Sequence, residues 1–126
     1  MIYDKGKLVV GDKWVKRWWG QVISHSEKWY LGILTYNHEK RKLYFFDLNR
    51  TFEFNIDDIK VELVKNSKWS NLTLLQIKDK DGTTYLYCSM AGIIMDTQLD
   101  PIRRRELARV YNTAIHRMIF SLQKPK

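Results

Sequence analysis

A mainly β domain closed by one C-terminal α-helix is what this sequence predicts, and three observations carry the prediction. Short runs of β-branched and aromatic residues, separated by turn residues, occupy residues 14–88. Asp81-Gly82 lies between two such runs, a strong short-range hairpin signal. From Asp100-Pro101 onward the apolar residues change to three- and four-residue spacing, the period of a helix with one buried face.

At 126 residues the chain fits a single domain, 1–126, large enough to bury a core without disulfide or metal staples. A hydrophobic content of 44% separates it from disordered chains, which cannot offset the entropy of ordering. Met1-Ile2-Tyr3-Asp4-Lys5 lacks the basic-then-apolar order of a secretory signal, and no apolar run of about 18 residues follows. The expected location is therefore the cytoplasm, with peripheral attachment to a membrane as an option. A lone cysteine, Cys88, agrees with a reducing compartment.

Taken in order, Ile2-Tyr3 and Leu8-Val9-Val10, interrupted by Gly6 and Gly11, read as an N-terminal arm or edge strand within residues 1–12. Trp14 to Ile23 reads as the first full strand of a barrel spanning 14–88. Trp29 to Tyr36 and Lys42 to Asp47 follow, joined by Asn37-His38-Glu39-Lys40-Arg41, where Asn tolerates the left-handed backbone of a turn. In Thr51 to Ile56, Phe52, Phe54 and Ile56 alternate with Glu53 and Asn55, one face toward the core and one toward water. Ile59, Val61 and Leu63 alternate likewise, and Lys65 to Asn71 reads as a loop. Leu72 to Lys78 and Thr83 to Cys88 form the final hairpin, completing seven antiparallel strands in a sandwich or partly closed barrel.

The helix, 100–123, starts with Asp100 as cap and Pro101 at its first position, where proline loses no needed hydrogen bond. Leu107, Tyr111, Ala114, Ile115, Met118, Ile119 and Leu122 form an apolar stripe that must cover the open end of the barrel. Asn112, Thr113 and His116 read as its polar face.

Gly32-Ile33-Leu34-Thr35-Tyr36, Leu43-Tyr44-Phe45-Phe46 and Phe52-Glu53-Phe54-Asn55-Ile56-Asp57-Asp58-Ile59 together resemble the pleckstrin-homology-like superfold, nearest to its GRAM and bacterial PH-like branch. Where members of that branch carry a proline after the isoleucine, this chain has Asp57, and its helix lacks the tryptophan of eukaryotic members. The resemblance implies a seven-stranded antiparallel barrel capped by the helix, acting as a non-catalytic binding module. It further implies a phosphoinositide-type headgroup site from a late first-strand lysine and a basic-x-arginine step in the second strand. Lys16 or Arg17 and Lys28 are the matching positions, with Tyr30 standing where the second basic residue would be.

Twenty-two Lys and Arg against fourteen Asp and Glu give a net charge of +8, which attracts anionic surfaces. Lys16, Arg17, Lys28 and the hairpin run Lys40-Arg41-Lys42 are the candidates for attachment to an anionic membrane. Arg103-Arg104-Arg105 fall in the first helical turn, against the helix dipole, where either Asp96, Asp100 and Glu106 or an anionic ligand would compensate. A partner protein is the alternative, docking on Trp18 or Trp19, which point to opposite faces of a strand, on Ile93 and Ile94 before the helix, or on the helix's outer face. Self-association belongs to the same option. Nucleic acid ranks third, since the chain is basic and aromatic but carries no reading motif.

No catalytic, metal or cofactor constellation is expected. His25, His38 and His116 show no ligand spacing. Cys88 alternates with Leu86 as a small buried hydrophobe. Asp79-x-Asp81-Gly82 has the start of a calcium loop but Met90 where its twelfth-position glutamate belongs, so a turn explains it better.

Overall fold

The computed structural model describes residues 2–11, 14–16, 22–24, 27–66, 72–90 and 101–124, with side chains for 2–10, 28–65, 73–90, 102–103 and 105–124. Among the described residues nine strands precede a helix: β1 (Tyr3–Gly11), β2 (Trp14–Lys16), β3 (Val22–Ser24), β4 (Glu27–Asn37), β5 (Lys42–Phe46), β6 (Thr51–Asn55), β7 (Lys60–Asn66), β8 (Leu72–Lys78), β9 (Thr84–Ser89) and α1 (Pro101–Leu122). Seven form one antiparallel sheet ordered β6-β5-β4-β1-β9-β8-β7, and β2 pairs with β3 alone.

Two expectations about the first strands fail. Tyr3–Gly11 is neither an arm nor an edge: it is the central strand, paired with β4 from Tyr3↔Thr35 to Gly11↔Glu27 and with β9 from Gly6↔Ser89 to Val10↔Tyr85. Gly6 reads as a break in the strand, yet a Cβ there would overlap the Tyr87 phenol, so the glycine is what lets the central strands close. Trp14 to Ile23 is not one strand but the two arms of a short hairpin, Trp14↔Ser24 to Lys16↔Val22. Trp14-Val15 and Val22-Ile23 are all β-formers, which conceals the reversal. The strand total of seven in the main sheet stands, with β1 taking the place given to Trp14–Ile23.

One face of the curled sheet holds the main core. Leu8, Leu34, Leu43, Phe45, Phe52, Phe54, Leu75, Ile77 and Tyr87 meet Ile115 and Ile119 of α1 there, so the helix does plug the sheet's open end. Leu48, on the β5–β6 turn, lies 99% exposed, outside that core. On the opposite face Val9, Leu74, Leu86 and Cys88 gather around Ala108. Ala114, expected in the apolar stripe, is exposed instead, and β7 extends through Lys65, expected in a loop.

Between Ala108 and Ile115, Asn112 is fully buried rather than on a polar face. Its Oδ1 accepts from the Ser89 amide at 2.9 Å and its Nδ2 donates to the Thr73 carbonyl at 2.7 Å. The β8–β9 register runs from Lys78↔Thr84 to Leu75↔Tyr87, and its continuation would bring Thr73 opposite Ser89. The Asn112 amide thus takes the place of a ladder bond and fixes the helix to the sheet rim.

The helix C-terminus is bound to two turns. Arg41, left-handed at φ 52°, holds Asp57 through Nε at 3.1 Å and Nη2 at 2.9 Å, and its Nη2 also donates to the Leu122 carbonyl at 2.8 Å. Asp57 Oδ1 accepts from the Lys124 amide at 2.9 Å. Gln123 Nε2 donates to the carbonyls of Ile56 and Ile59, both at 2.8 Å, across the gap between β6 and β7. An arginine at this end also suits the carbonyl pole of the helix.

Candidate anion- and partner-binding surface

Cross-strand pairs share a face, so Leu31 and Lys7, and Ile33 with Lys5 and Phe46, stand together on the side of the sheet away from the main core. Trp29 joins them, paired with Val9. Trp29 is 59% exposed, Leu31 50% and Phe46 42%. Lys7 Nζ lies 4.9 Å from the Trp29 ring centroid, a cation–π contact, and Tyr44 stacks on Phe46 at 5.5 Å. This is an aromatic and aliphatic surface edged by Lys5 and Lys7 of β1, whereas Lys28, paired with Val10, alternates with Trp29 and belongs to the other face at the end of β4.

The expected basic residues do not converge. Lys28 is the second residue of β4, whereas Lys40, Arg41 and Lys42 follow its end, about 30 Å away along the strand at ~3.3 Å per residue. Arg41 and Lys42 are engaged in ion pairs, the latter with Glu53 at 2.7 Å. That bond raises the Lys42 pKa and lowers that of Glu53. Lys40 has an exposed side chain, and its amide donates to Asn37 Oδ1 at 3.0 Å. The left-handed residue of this turn is therefore Arg41, with Asn37 bracing it. Arg103 and Arg105 are exposed in the first turn of α1, a helix length from the Arg41 end. The side chains of Lys16, Arg17, Trp18, Trp19, Ile93, Ile94 and Arg104 lie outside the described residues, as do Asp96 and Asp100, the expected cap.

Chemistry at the other singled-out residues is structural. Cys88 is buried, and desolvation pushes its thiol pKa up, away from nucleophilic use. Asp79 Oδ1 accepts from the amides of Asp81 and Thr83, each at 2.9 Å, and Gly82 has φ 84°, the geometry of a hairpin turn. Burial and the bond to Asp4 push the Tyr87 phenol far up; Ser89 Oγ donates to the same carboxylate at 2.9 Å. His116 Nε2 lies 3.2 Å from the Val61 carbonyl. Among the described residues no three His, Cys, Asp or Glu side chains are grouped to hold a metal, and no helix is long and apolar enough to cross a membrane.

Seven antiparallel strands curled around a core, with one C-terminal helix across the open end, define a known architecture. It resembles that of the pleckstrin-homology-like superfold. Among solved structures the chain is similar to the crystal structure of the pleckstrin homology domain of ArhGAP27, with a TM-score of 0.49 and 16% identity over 94% of this chain and 99% of that one. No protein-family model and no curated protein matches the chain. In this PH-like frame, Trp29, Leu31 and Phe46 were not singled out together as a surface by sequence reasoning. The available signal was a strand, Trp29-Tyr30-Leu31-Gly32-Ile33, that is apolar on both faces, so one face had to look outward.

Proposed function

We propose that this chain is a non-catalytic binding module that attaches reversibly to an anionic, phosphoinositide-type membrane surface, as a peripheral protein of the cytoplasm. The observation that carries the reading is Trp29, 59% exposed beneath Lys7 and beside exposed Leu31. Tryptophan and aliphatic side chains enter the interfacial region of a bilayer while lysines meet its negative surface. A net charge of +8 supplies the long-range attraction. Lys16, Arg17 and Lys28 are assigned to the headgroups, and Lys40 and the Arg103–Arg105 run to weaker peripheral contact.

Cosedimentation with phosphatidylserine and phosphoinositide vesicles, against neutral phosphatidylcholine vesicles, tests the reading at low and physiological salt. Binding should be confined to the anionic vesicles, weaken as salt screens it, and fall sharply in Lys28→Glu/Trp29→Ala. Equal binding to neutral vesicles, or none at low salt, would overturn it.

A second reading, docking to a protein, draws on Phe120. This residue is 69% exposed over a groove of about 580 Å³ whose lining includes Ile59, Val61 and Lys60. Salt-insensitive self-association that Phe120→Ala abolishes would favour it.

A further inference from the structure

At the end of the sheet opposite Lys28, an apolar cleft of about 340 Å³ opens between the N-terminus of β1, the β4–β5 turn and the last turn of α1. Ile2, Tyr36, His38, Met118, Ser121 and Leu122 line it. Its size lies at the lower end of the roughly 300–1,000 Å³ that small-molecule sites occupy.

One residue of its lining carries a buried hydrogen-bonding group with no partner among the described residues. Tyr36 is 8% exposed, and among the described residues its hydroxyl is a buried side-chain oxygen that makes no hydrogen bond. An unsatisfied buried hydroxyl is costly, which is why such groups in native proteins are nearly always paired. The neighbours do not relieve it. Ser121 Oγ donates to the Met118 carbonyl at 2.8 Å, the Arg41 guanidinium is held by Asp57 and the Leu122 carbonyl, and His38 meets Tyr36 ring edge to ring face at 6.3 Å.

We propose that this cleft binds a short acyl chain, its methylenes against Ile2, Met118 and Leu122 and its carbonyl or carboxylate oxygen accepting from the Tyr36 hydroxyl. A mainly apolar lining with the Tyr36 hydroxyl and the His38 ring as its unpaired polar groups fits a molecule with an apolar body and one polar end better than a polyol, which would bring many polar groups against apolar walls. The site is separate from the Trp29 surface and independent of membrane attachment.

The test is an amide chemical-shift titration of the full chain with octanoate and with methyl octanoate, the two arms separating a free fatty acid from an acyl ester. Saturable shifts should concentrate at Tyr36, His38, Ser121 and Leu122 rather than at Lys28 to Leu31. Tyr36→Phe keeps the ring and removes the donor, and should weaken binding roughly 2- to 12-fold. Met118→Trp fills the cleft and should abolish saturable shifts; should Tyr36→Phe fail to fold, this variant decides alone. No saturable shifts with either probe would mean that the hydroxyl is satisfied by ordered water only. That result, an unchanged affinity in Tyr36→Phe, or unchanged binding in Met118→Trp would overturn the proposal.

Discussion

Asn112 shows how one side chain can complete a sheet. Its amide offers a donor and an acceptor in a fixed plane, which is what the Thr73 carbonyl and the Ser89 amide each need. Asn112→Leu keeps the volume and removes both bonds, and should lower stability by roughly 1–3 kcal/mol, read as a fall in the denaturant midpoint at unchanged slope. An unchanged midpoint would mean that water replaces the amide. The position was legible in the sequence although the role was not: 108, 112, 115 and 119 follow helical spacing, so residue 112 falls on the buried stripe, and only its polarity argued otherwise. Gly6 was misread for a related reason. A glycine inside a strand is weak evidence of a break and equally the mark of a close approach, here by Tyr87, which lies 81 positions further along the chain and which no local pattern can reveal.

At the scale of elements, the C-terminal turn of α1 is held where the β4–β5 and β6–β7 turns meet it, and electrostatics contributes to that attachment. The Arg41 guanidinium, the Lys124 amide and their charges hold the Asp57 carboxyl at about 2, below its ordinary 3.8. A carboxylate depressed in the folded state contributes stability that is complete above its unfolded pKa and is lost as pH falls through the folded one. The contribution should therefore disappear between about pH 4 and pH 2, and thermal unfolding of Asp57→Asn should show a shallower decline over that window. A decline identical to the parent's would assign the acid sensitivity to other carboxylates. Double-mutant cycles should give Arg41–Asp57 a larger coupling than Lys42–Glu53, because the former is two-pronged and joined to a helix end while the latter is a single surface contact. Equal couplings would remove the clamp from the account. Strands with clean alternation, such as Phe52-Glu53-Phe54, were legible to within one or two residues, and so was the helix. The pairing of Arg41 with Asp57 was not, since it depends on two turns meeting in space.

For the whole molecule, the decisive strand is β1. It joins β4 and the strands before it in the sheet to β9, β8 and β7, and both of its edges are occupied. Deleting residues 1–11 should therefore abolish the cooperative unfolding transition and the dispersed amide spectrum, whereas removal of a docked arm would leave both intact. The seven-strand total and the closing helix could be read from spacing and turn residues. The topology could not, because Trp14–Ile23 and Tyr3–Gly11 compete for the same role and only long-range pairing decides between them. The position of β1 also governs how the chain reaches its fold. Asp4 and Tyr87 meet across 83 residues, so β1 gains its second neighbour only after β9 has been made. Local hairpins such as β4–β5 and β8–β9 can form early, but closure of the sheet waits on one high-separation pairing whose loop entropy must be met first. A nascent chain therefore carries an unpaired edge of β1 until β9 emerges, and refolding should be slower than for a helical chain of this length.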